Sequence, residues 1–423
     1  MSHRTGGLPK AAPSIELVQA VDDIPVASHI IPLGYEEADA KIREGAESFS
    51  FRVSDDCLGR VDVVSLGTKI PSEDRWDVRI FENEDARDTL YAGVYDGHNG
   101  DETSEVLRQS LVPYVANALA SAGSRVGNPD SGAVIQKAFA DLDARILDNA
   151  QTAISAGHPA GTAQVRVATG PAFGGSCALL LAYEPSSSTL QIALTGDSRA
   201  VRAHYVAGEN TPVIDVLSKD QNLDNKEEFA HIAAAHPGEV DLGMTDLGGF
   251  LRISTTRAFG NHRWKWPADL VRQARANCHG PKPFPHFKSP PYMTASPEIT
   301  TRIIGARDFV IIGSDGLWEA ISNEDAVECV SRWAAARRVG EPEPVIESCE
   351  SAFDLNDGEF LSRTARPEDF AIEDLDNAAV CLLKNVLGGR HRYMVAGSVT
   401  ATAPISRSVR DDITVQVVFF QNI

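Results

Sequence analysis

The chain has 423 residues, 43% of them hydrophobic and 23% charged, which is enough for one large or two ordinary globular domains. A formal net charge of −20 argues against nucleic acid as a main partner, because phosphate binding draws on Lys and Arg. No apolar run reaches the length of a membrane span, and six scattered cysteines without a CxxC pair give neither a disulfide framework nor a zinc site, which suits a reducing compartment.

Residues 1–45 read as an N-terminal arm or tail, rich in Pro and Gly. The arm lacks the apolar core of a secretory signal. Early Glu16, Asp22 and Asp23 with sparse Arg also make it a poor mitochondrial transit peptide. Strands are expected at 61–67 (VDVVSLG) and 90–95 (LYAGVY). Helices follow at 101–120 and 132–150, the second with Val134, Ile135, Ala138, Phe139, Leu142 and Ile146 at helical spacing. A strand at 176–183 precedes 189–206, which reads as a hairpin around Gly196-Asp197-Ser198. Residues 225–235 are helical in pattern, 308–321 is a buried strand running into a turn, and 411–420 is a final strand. Three stretches interrupt the pattern as loops or lids, near 157–172, 267–292 and 338–375. Blocks of strands and blocks of helices without βαβ alternation predict an α+β layered fold.

Acidic residues recur where strands should end: Glu73 and Asp74, Asp96, Asp197, Asp315, and Asp411 with Asp412. Singly, Asp96-Gly97-His98 and Asp315-Gly316 are turn signals, Asp411 is an edge-strand charge and His98 a hydrogen-bonded structural histidine. Jointly, carboxylates at strand ends can converge at one edge of a packed pair of sheets. Hard cations such as Mg²⁺ or Mn²⁺ take such oxygen ligands. Two of them bridged by a carboxylate can lower the pKa of a water, and a nearby His can protonate a leaving oxygen.

The segments VYDGHNG, GGSCALLLAY, LTGDSRAV, TTRAFGN, IIGSDGLWEAIS and RDDITVQVV, in this order over nearly the whole chain, resemble the metal-dependent (PPM, type 2C) protein serine/threonine phosphatase family. IPSEDRW, TRAFGNHRWKWP, YMTASPEIT and NAAVCLLKNVLGG are similar to its mitochondrial pyruvate dehydrogenase phosphatase branch. The resemblance implies a four-layer α-β-β-α sandwich over 46–423, with two antiparallel sheets flanked by helices and a dinuclear metal site at one end. It implies that Asp96 bridges two Mg²⁺ or Mn²⁺ ions and that Gly97 offers its carbonyl. Asp315 and Asp411 would bind the second ion, Glu73 and Asp74 would act through water, and His98 would be the general acid. Asp197 and Glu319 are the implied contacts of a third, more weakly held ion. Lys69 occupies the position where many members carry a phosphate-binding Arg, and Asn261 stands where Asp is usual.

The expected activity is hydrolysis of phosphoserine or phosphothreonine on a protein. The branch points to a mitochondrial 2-oxoacid dehydrogenase complex as substrate and to the matrix as compartment, with a cytoplasmic location as the alternative. A pseudophosphatase acting as a regulatory binding module is the competing reading, supported by Lys69 and Asn261 alone. A two-metal nuclease is disfavoured by the acidic charge.

Overall fold

A computed structural model describes residues 32–82, 87–157, 161–222, 224–239, 254–284, 287–344, 364–401 and 409–423. Two antiparallel sheets form its centre. The first has six strands in the order β1 (Ala46–Ser54), β2 (Cys57–Leu66), β14 (Ile413–Phe419), β13 (Phe309–Gly313), β9 (Arg199–His204) and β10 (Val213–Val216). The second has five: β12 (Glu298–Ile303), β8 (Thr189–Thr195), β7 (Ala178–Glu184), β4 (Asp88–Tyr95) and β3 (Arg75–Glu82). A small third sheet joins β11 (Phe259–Gly260), β6 (Gly175–Ser176) and β5 (Gly97–His98).

Side chains alternate across each strand, so both faces of a central strand need a partner layer. Leu179 and Leu181 of β7 and Val94 of β4 meet Val61, Val63, Val310, Ile312 and Val418 of the opposite sheet, forming the inter-sheet core. Their neighbours Leu180, Ala182 and Tyr95 face α2 (Glu102–Ser121) and α3 (Ser131–Ser155). Burial on both faces explains why these strands read as unbroken apolar runs rather than as alternating ones. On the other side, Val415, Val417, Ile311 and Val201 pack against helices that include α1 (Tyr35–Glu44) and α9 (Asn323–Val339). The result is the four-layer α-β-β-α sandwich implied by the resemblance.

Shorter helices complete the frame. α4 (Ala163–Phe173) and α7 (Ala268–Cys278) add to the layer on the five-stranded sheet. α5 (Lys226–Ala235) and the single turn α6 (His262–Lys265) contribute Ile232 and Trp264 to a satellite cluster with Tyr292 and Met293. α8 (Asp315–Trp318) is one turn after β13, and α10 (Ala378–Leu387) and α11 (Arg392–Thr400) close the layer on the six-stranded sheet.

Several expectations change. Residues 189–206 are not a hairpin: β8 pairs with β7 and β12, whereas β9 pairs with β13 and β10. Gly196–Ser198 instead crosses between the sheets, with Gly196 at φ +107. Gln221 supplies the missing partners of the crossing: Gly196 N donates to Gln221 Oε1 at 2.8 Å and Gln221 N donates to Gly196 O at 2.9 Å. The sequence showed two strands and a turn, and their polar residues do not say which sheet each joins, because Thr189, Gln191, Thr195 and Arg202 are as buried as the apolar ones.

The stretch near 157–172 contains α4, because Val165, Thr169 and Ala172 share a buried helical face and Thr162 caps the helix. Likewise 267–292 contains α7. Residues 158–160, 285–286 and 345–363 of the three interruptions lie outside the described residues, as do 1–31 of the arm.

The packed chain starts before residue 45. α1 buries Ala38 and Ile42, and its Asp39 pairs with Lys384 of α10 at 3.0 Å. Ile42→Ala should therefore cost about 2–5 kcal/mol of stability, read as a lower urea midpoint at unchanged slope. An unchanged midpoint would return residues 35–44 to a surface arm.

Candidate active site

Strand register gathers the acidic residues. Arg75 pairs with Tyr95, so Asp74 before β3 and Asp96 after β4 emerge side by side. In the other sheet, Gly313 pairs with both Arg199 and Val415. That places Asp197 before β9, Asp315 after β13 and Asp411 before β14 at one end. Asp96, Asp197, Asp315 and Asp411 line a cleft of about 230 Å³ with Glu73 and Asp412, and no Lys or Arg is among the described residues lining it. Carboxylate oxygens of Asp96, Asp197 and Asp315 lie within 4.8 Å of one another.

Such crowding disfavours charge. Burial, then the fields of Asp315, Asp74 and Asp197, push the Asp96 carboxyl well above its usual range. Burial and then Asp197 push Asp315 up to about 7, and burial raises Asp197 to about 6. Asp74 is raised by burial and then by Asp412, and its Oδ2 is buried without a hydrogen-bond partner. A donor set dominated by carboxylate oxygens, an orphaned carboxylate oxygen and no lining Lys or Arg fit hard divalent ions.

Asp412 holds the loop that carries Glu73 and Asp74. Its Oδ1 accepts from Thr68 N at 2.5 Å and Thr68 Oγ1 at 2.6 Å, and its Oδ2 from Ser72 Oγ at 2.7 Å and Glu73 N at 2.8 Å. Burial would raise its pKa, but these donors outweigh burial and hold the carboxyl below its usual range. The sequence showed an acid pair, Asp411-Asp412, with no sign that the second acid fastens another loop. Gly97 lies so close to this loop that a Cβ would sit 2.4 Å from Glu73 O, which excludes any larger residue.

The remaining candidates divide. His98 lines the cleft, and Asn261 Nδ2 donates to its Nε2 at 2.8 Å. Burial lowers the His98 pKa to about 4. Asn261, at φ 51, therefore sits on the histidine, which the motif alone did not reveal. Gly175 makes the pairing possible, since a Cβ there would lie 2.2 Å from His98 Nε2. Lys69 is not among the residues lining the cleft; its Nζ is held 2.8 Å from Glu73 Oε1, which also accepts from Gly100 N at 2.6 Å. Glu319 lines an adjoining cavity that shares Asp411 with the cleft, and burial, then Asp315 and Asp411, raise its carboxyl. Cys177 lines the cleft and donates to Asp197 Oδ1 at 3.1 Å; nothing in its apolar sequence context marked it.

Raised carboxyl pKa values mean that the cation-free fold binds more protons than the unfolded chain between about pH 4 and 7, so its stability falls as pH rises through that window. With chelator present, the thermal midpoint should drop from pH 5 to pH 8, and Asp315→Asn should flatten the drop. An equally steep drop in Asp315→Asn would assign it to other groups.

Comparisons with known proteins agree with this geometry. The family model described as Protein phosphatase 2C matches residues 76–349. A protein phosphatase 2C homolog of Schizosaccharomyces pombe is 35% identical, covering 87% of this chain and 82% of that protein. The mitochondrial pyruvate dehydrogenase (acetyl-transferring) phosphatase 1 of Saccharomyces cerevisiae is 33% identical, covering 92% of this chain and 73% of that protein. A crystal structure of serine-threonine phosphatase 2C from Toxoplasma gondii shares the fold at a TM-score of 0.50 and 15% identity, over 89% of this chain and 99% of that one. The chain belongs to the protein phosphatase 2C family of metal-dependent protein serine/threonine phosphatases.

Proposed function

We propose that this phosphatase acts in mitochondria on phosphoserine or phosphothreonine of a 2-oxoacid dehydrogenase complex, with Mg²⁺ or Mn²⁺ held by the cleft carboxylates. The observation that carries the chemistry is the convergence of Asp96, Asp197 and Asp315 in a cleft lined by no Lys or Arg among the described residues. Support for the substrate is the 33% identity to the yeast pyruvate dehydrogenase phosphatase across most of both chains.

Asp96, reached by the fields of Asp74, Asp197 and Asp315, would bridge two ions, with the Gly97 carbonyl beside it. Asp315 and Asp411, at the ends of neighbouring strands, would hold the second ion, and Glu73 and Asp74 would orient water. Asp197 and Glu319 would serve a third ion. When bound, the ions supply Lewis acidity that lowers the pKa of a water and offsets the phosphate charge. His98 would give a proton to the leaving serine or threonine oxygen. Lys69, tethered to Glu73 at the cleft's edge, would meet the substrate phosphate. Residues 46–423, together with α1, would form one catalytic unit.

Turnover of a phosphorylated 2-oxoacid dehydrogenase by the purified chain with Mn²⁺ tests the proposal. Asp96→Asn should lower that turnover on the order of 10²-fold or more with the circular dichroism spectrum unchanged, because an amide brings no charge to hold two dications. Near wild-type turnover of this variant at saturating Mn²⁺ would remove Asp96 from the bridging role, and no turnover of the dehydrogenase beside brisk turnover of other phosphoproteins would remove the substrate.

Lys69→Ala should raise KM for a phosphopeptide with a smaller change in kcat, the pattern of lost uniform binding, and should weaken inhibition by inorganic phosphate. If neither moves, Lys69 serves Glu73 alone.

A further inference from the structure

We propose that Asn261 is a positioning residue for the reaction: its side-chain amide fixes the His98 imidazole in the cleft, and the buried Lys265–Asp143 pair fixes Asn261. This deepens the proposed function and rests on its reading of His98 as proton donor to the leaving oxygen.

The small third sheet brings the two side chains together. Gly175 of β6 pairs with His98 of β5 on one side and with Gly260 of β11 on the other. Asn261 follows Gly260 directly, so the imidazole and the amide meet over Gly175. A Cβ at Gly175 would lie 2.2 Å from His98 Nε2 and 2.4 Å from Asn261 Nδ2, so only glycine leaves room for their 2.8 Å contact. Among the described residues, Asn261 is the one hydrogen-bond partner of the His98 ring. Without it, no hydrogen bond from those residues sets the rotation of the ring.

The amide has no comparable second partner. Asn261 is 0% exposed, its Oδ1 is buried without a hydrogen-bond partner, and beyond His98 its Nδ2 reaches only Met293 Sδ at 3.5 Å. A buried oxygen left unpaired is a cost to stability. An apolar side chain would fill the same space without it, so what the amide adds is the contact with the histidine. An amide carries a donor and an acceptor at the same reach, so it holds the ring whether or not the facing nitrogen bears a proton. It also adds no charge to a cleft lined by six acidic side chains. The Asp usual at this position in the family pattern would only accept, and would add that charge.

The backbone behind the amide is held on both sides. Asn261, at φ 51, donates from its N to Gly174 O at 2.7 Å, and its O accepts from Trp264 N at 2.9 Å. Asp143 of α3 accepts from Gly260 N at 2.8 Å and from Lys265 Nζ at 2.6 Å. Lys265 Nζ also donates to Ala258 O at 2.7 Å. These bonds tie the segments before and after Asn261 to α3, whose own apolar face is buried on the five-stranded sheet. The imidazole is thereby anchored to the core through Asn261 rather than left to its own torsions. Such anchoring matters because a reacting group misplaced by about 1 Å can lose on the order of 10²-fold in rate.

The test uses the full chain with Mn²⁺ and two substrates, a phosphoserine peptide and p-nitrophenyl phosphate, whose good leaving group needs little protonation. Asn261→Gly removes the amide and keeps the backbone, because glycine adopts φ 51 freely. It should lower kcat on the peptide roughly 10–100-fold with KM little changed, and lower p-nitrophenyl phosphate turnover by no more than about 3-fold. In His98→Ala, the same substitution should lower peptide turnover by no more than about 2-fold further, because the two residues act as one unit. In the metal-free chain, the ring NMR signals of His98, identified by their loss in His98→Ala, should shift and broaden in Asn261→Gly. If Asn261→Gly does not fold, Asn261→Ser, whose hydroxyl stops short of the ring, takes its place in each measurement. Equal losses on both substrates, a full further loss in His98→Ala, or unchanged ring signals would overturn the proposal. Should His98→Ala itself lower both substrates alike, proton donation by His98 would be refuted, and the double variant and the ring signals would still report whether Asn261 acts through the ring.

Discussion

Mutual repulsion among carboxylates is the constraint on which the rest of this structure depends. Six acidic side chains line one cleft, and no Lys or Arg among the described residues lines it with them. Burial first, and then like charges at this spacing, raise the pKa of Asp96 and Asp315, and burial raises that of Asp197. A fold that keeps them together without a cation must hold their backbones by other means. Here those means are the strands themselves: each acid sits within a few residues of a strand whose far side is packed in a core.

Around the cleft, close approaches replace attraction. Asp412 accepts four hydrogen bonds from the 68–73 loop, and its pKa falls where those of Asp96, Asp197 and Asp315 rise. Gly97, Gly175 and Gly196 each sit where a Cβ would strike a neighbour, respectively Glu73 O, His98 Nε2 and Cys177 Sγ. These glycines set the distances between strand ends, and hence the distances between functional groups.

A further layer supports the histidine. Lys265 and Asp143 form a buried ion pair at 2.6 Å, and Asp143 Oδ1 also accepts from Gly260 N at 2.8 Å. Lys265 Nζ donates as well to Ala258 O at 2.7 Å. This network grips the 258–260 backbone immediately before Asn261. Removing one partner would leave an unpaired buried charge behind the His98–Asn261 contact. The Asn261 found where the family pattern has Asp thus has a defined place, with its amide on the imidazole and its backbone N on Gly174 O at 2.7 Å.

The sequence by itself determined the elements and the chemistry's raw material. Apolar runs marked β4, β7, β8 and β13, helical spacing marked α2 and α3, and acids at strand ends marked Asp96, Asp315 and Asp411, because periodicity and turn chemistry are local. What it left open is nonlocal. Only pairing register says that Asp74 and Asp96 stand side by side, and only the assignment of β8 and β9 to different sheets turns Gly196–Ser198 from a hairpin tip into the crossing that carries Asp197 into the cleft. A strand buried on both faces does not announce its sheet by its polar residues: Thr189, Gln191 and Thr195 of β8 are buried like Leu190 and Ile192. Asp412 reaches Thr68 and Glu73 across 344 and 339 residues of chain, a separation at which no local pattern can signal the contact. The buried face of α1 was invisible for the same reason, since Ala38 and Ile42 are apolar positions in a polar helix until α11 and the six-stranded sheet cover them.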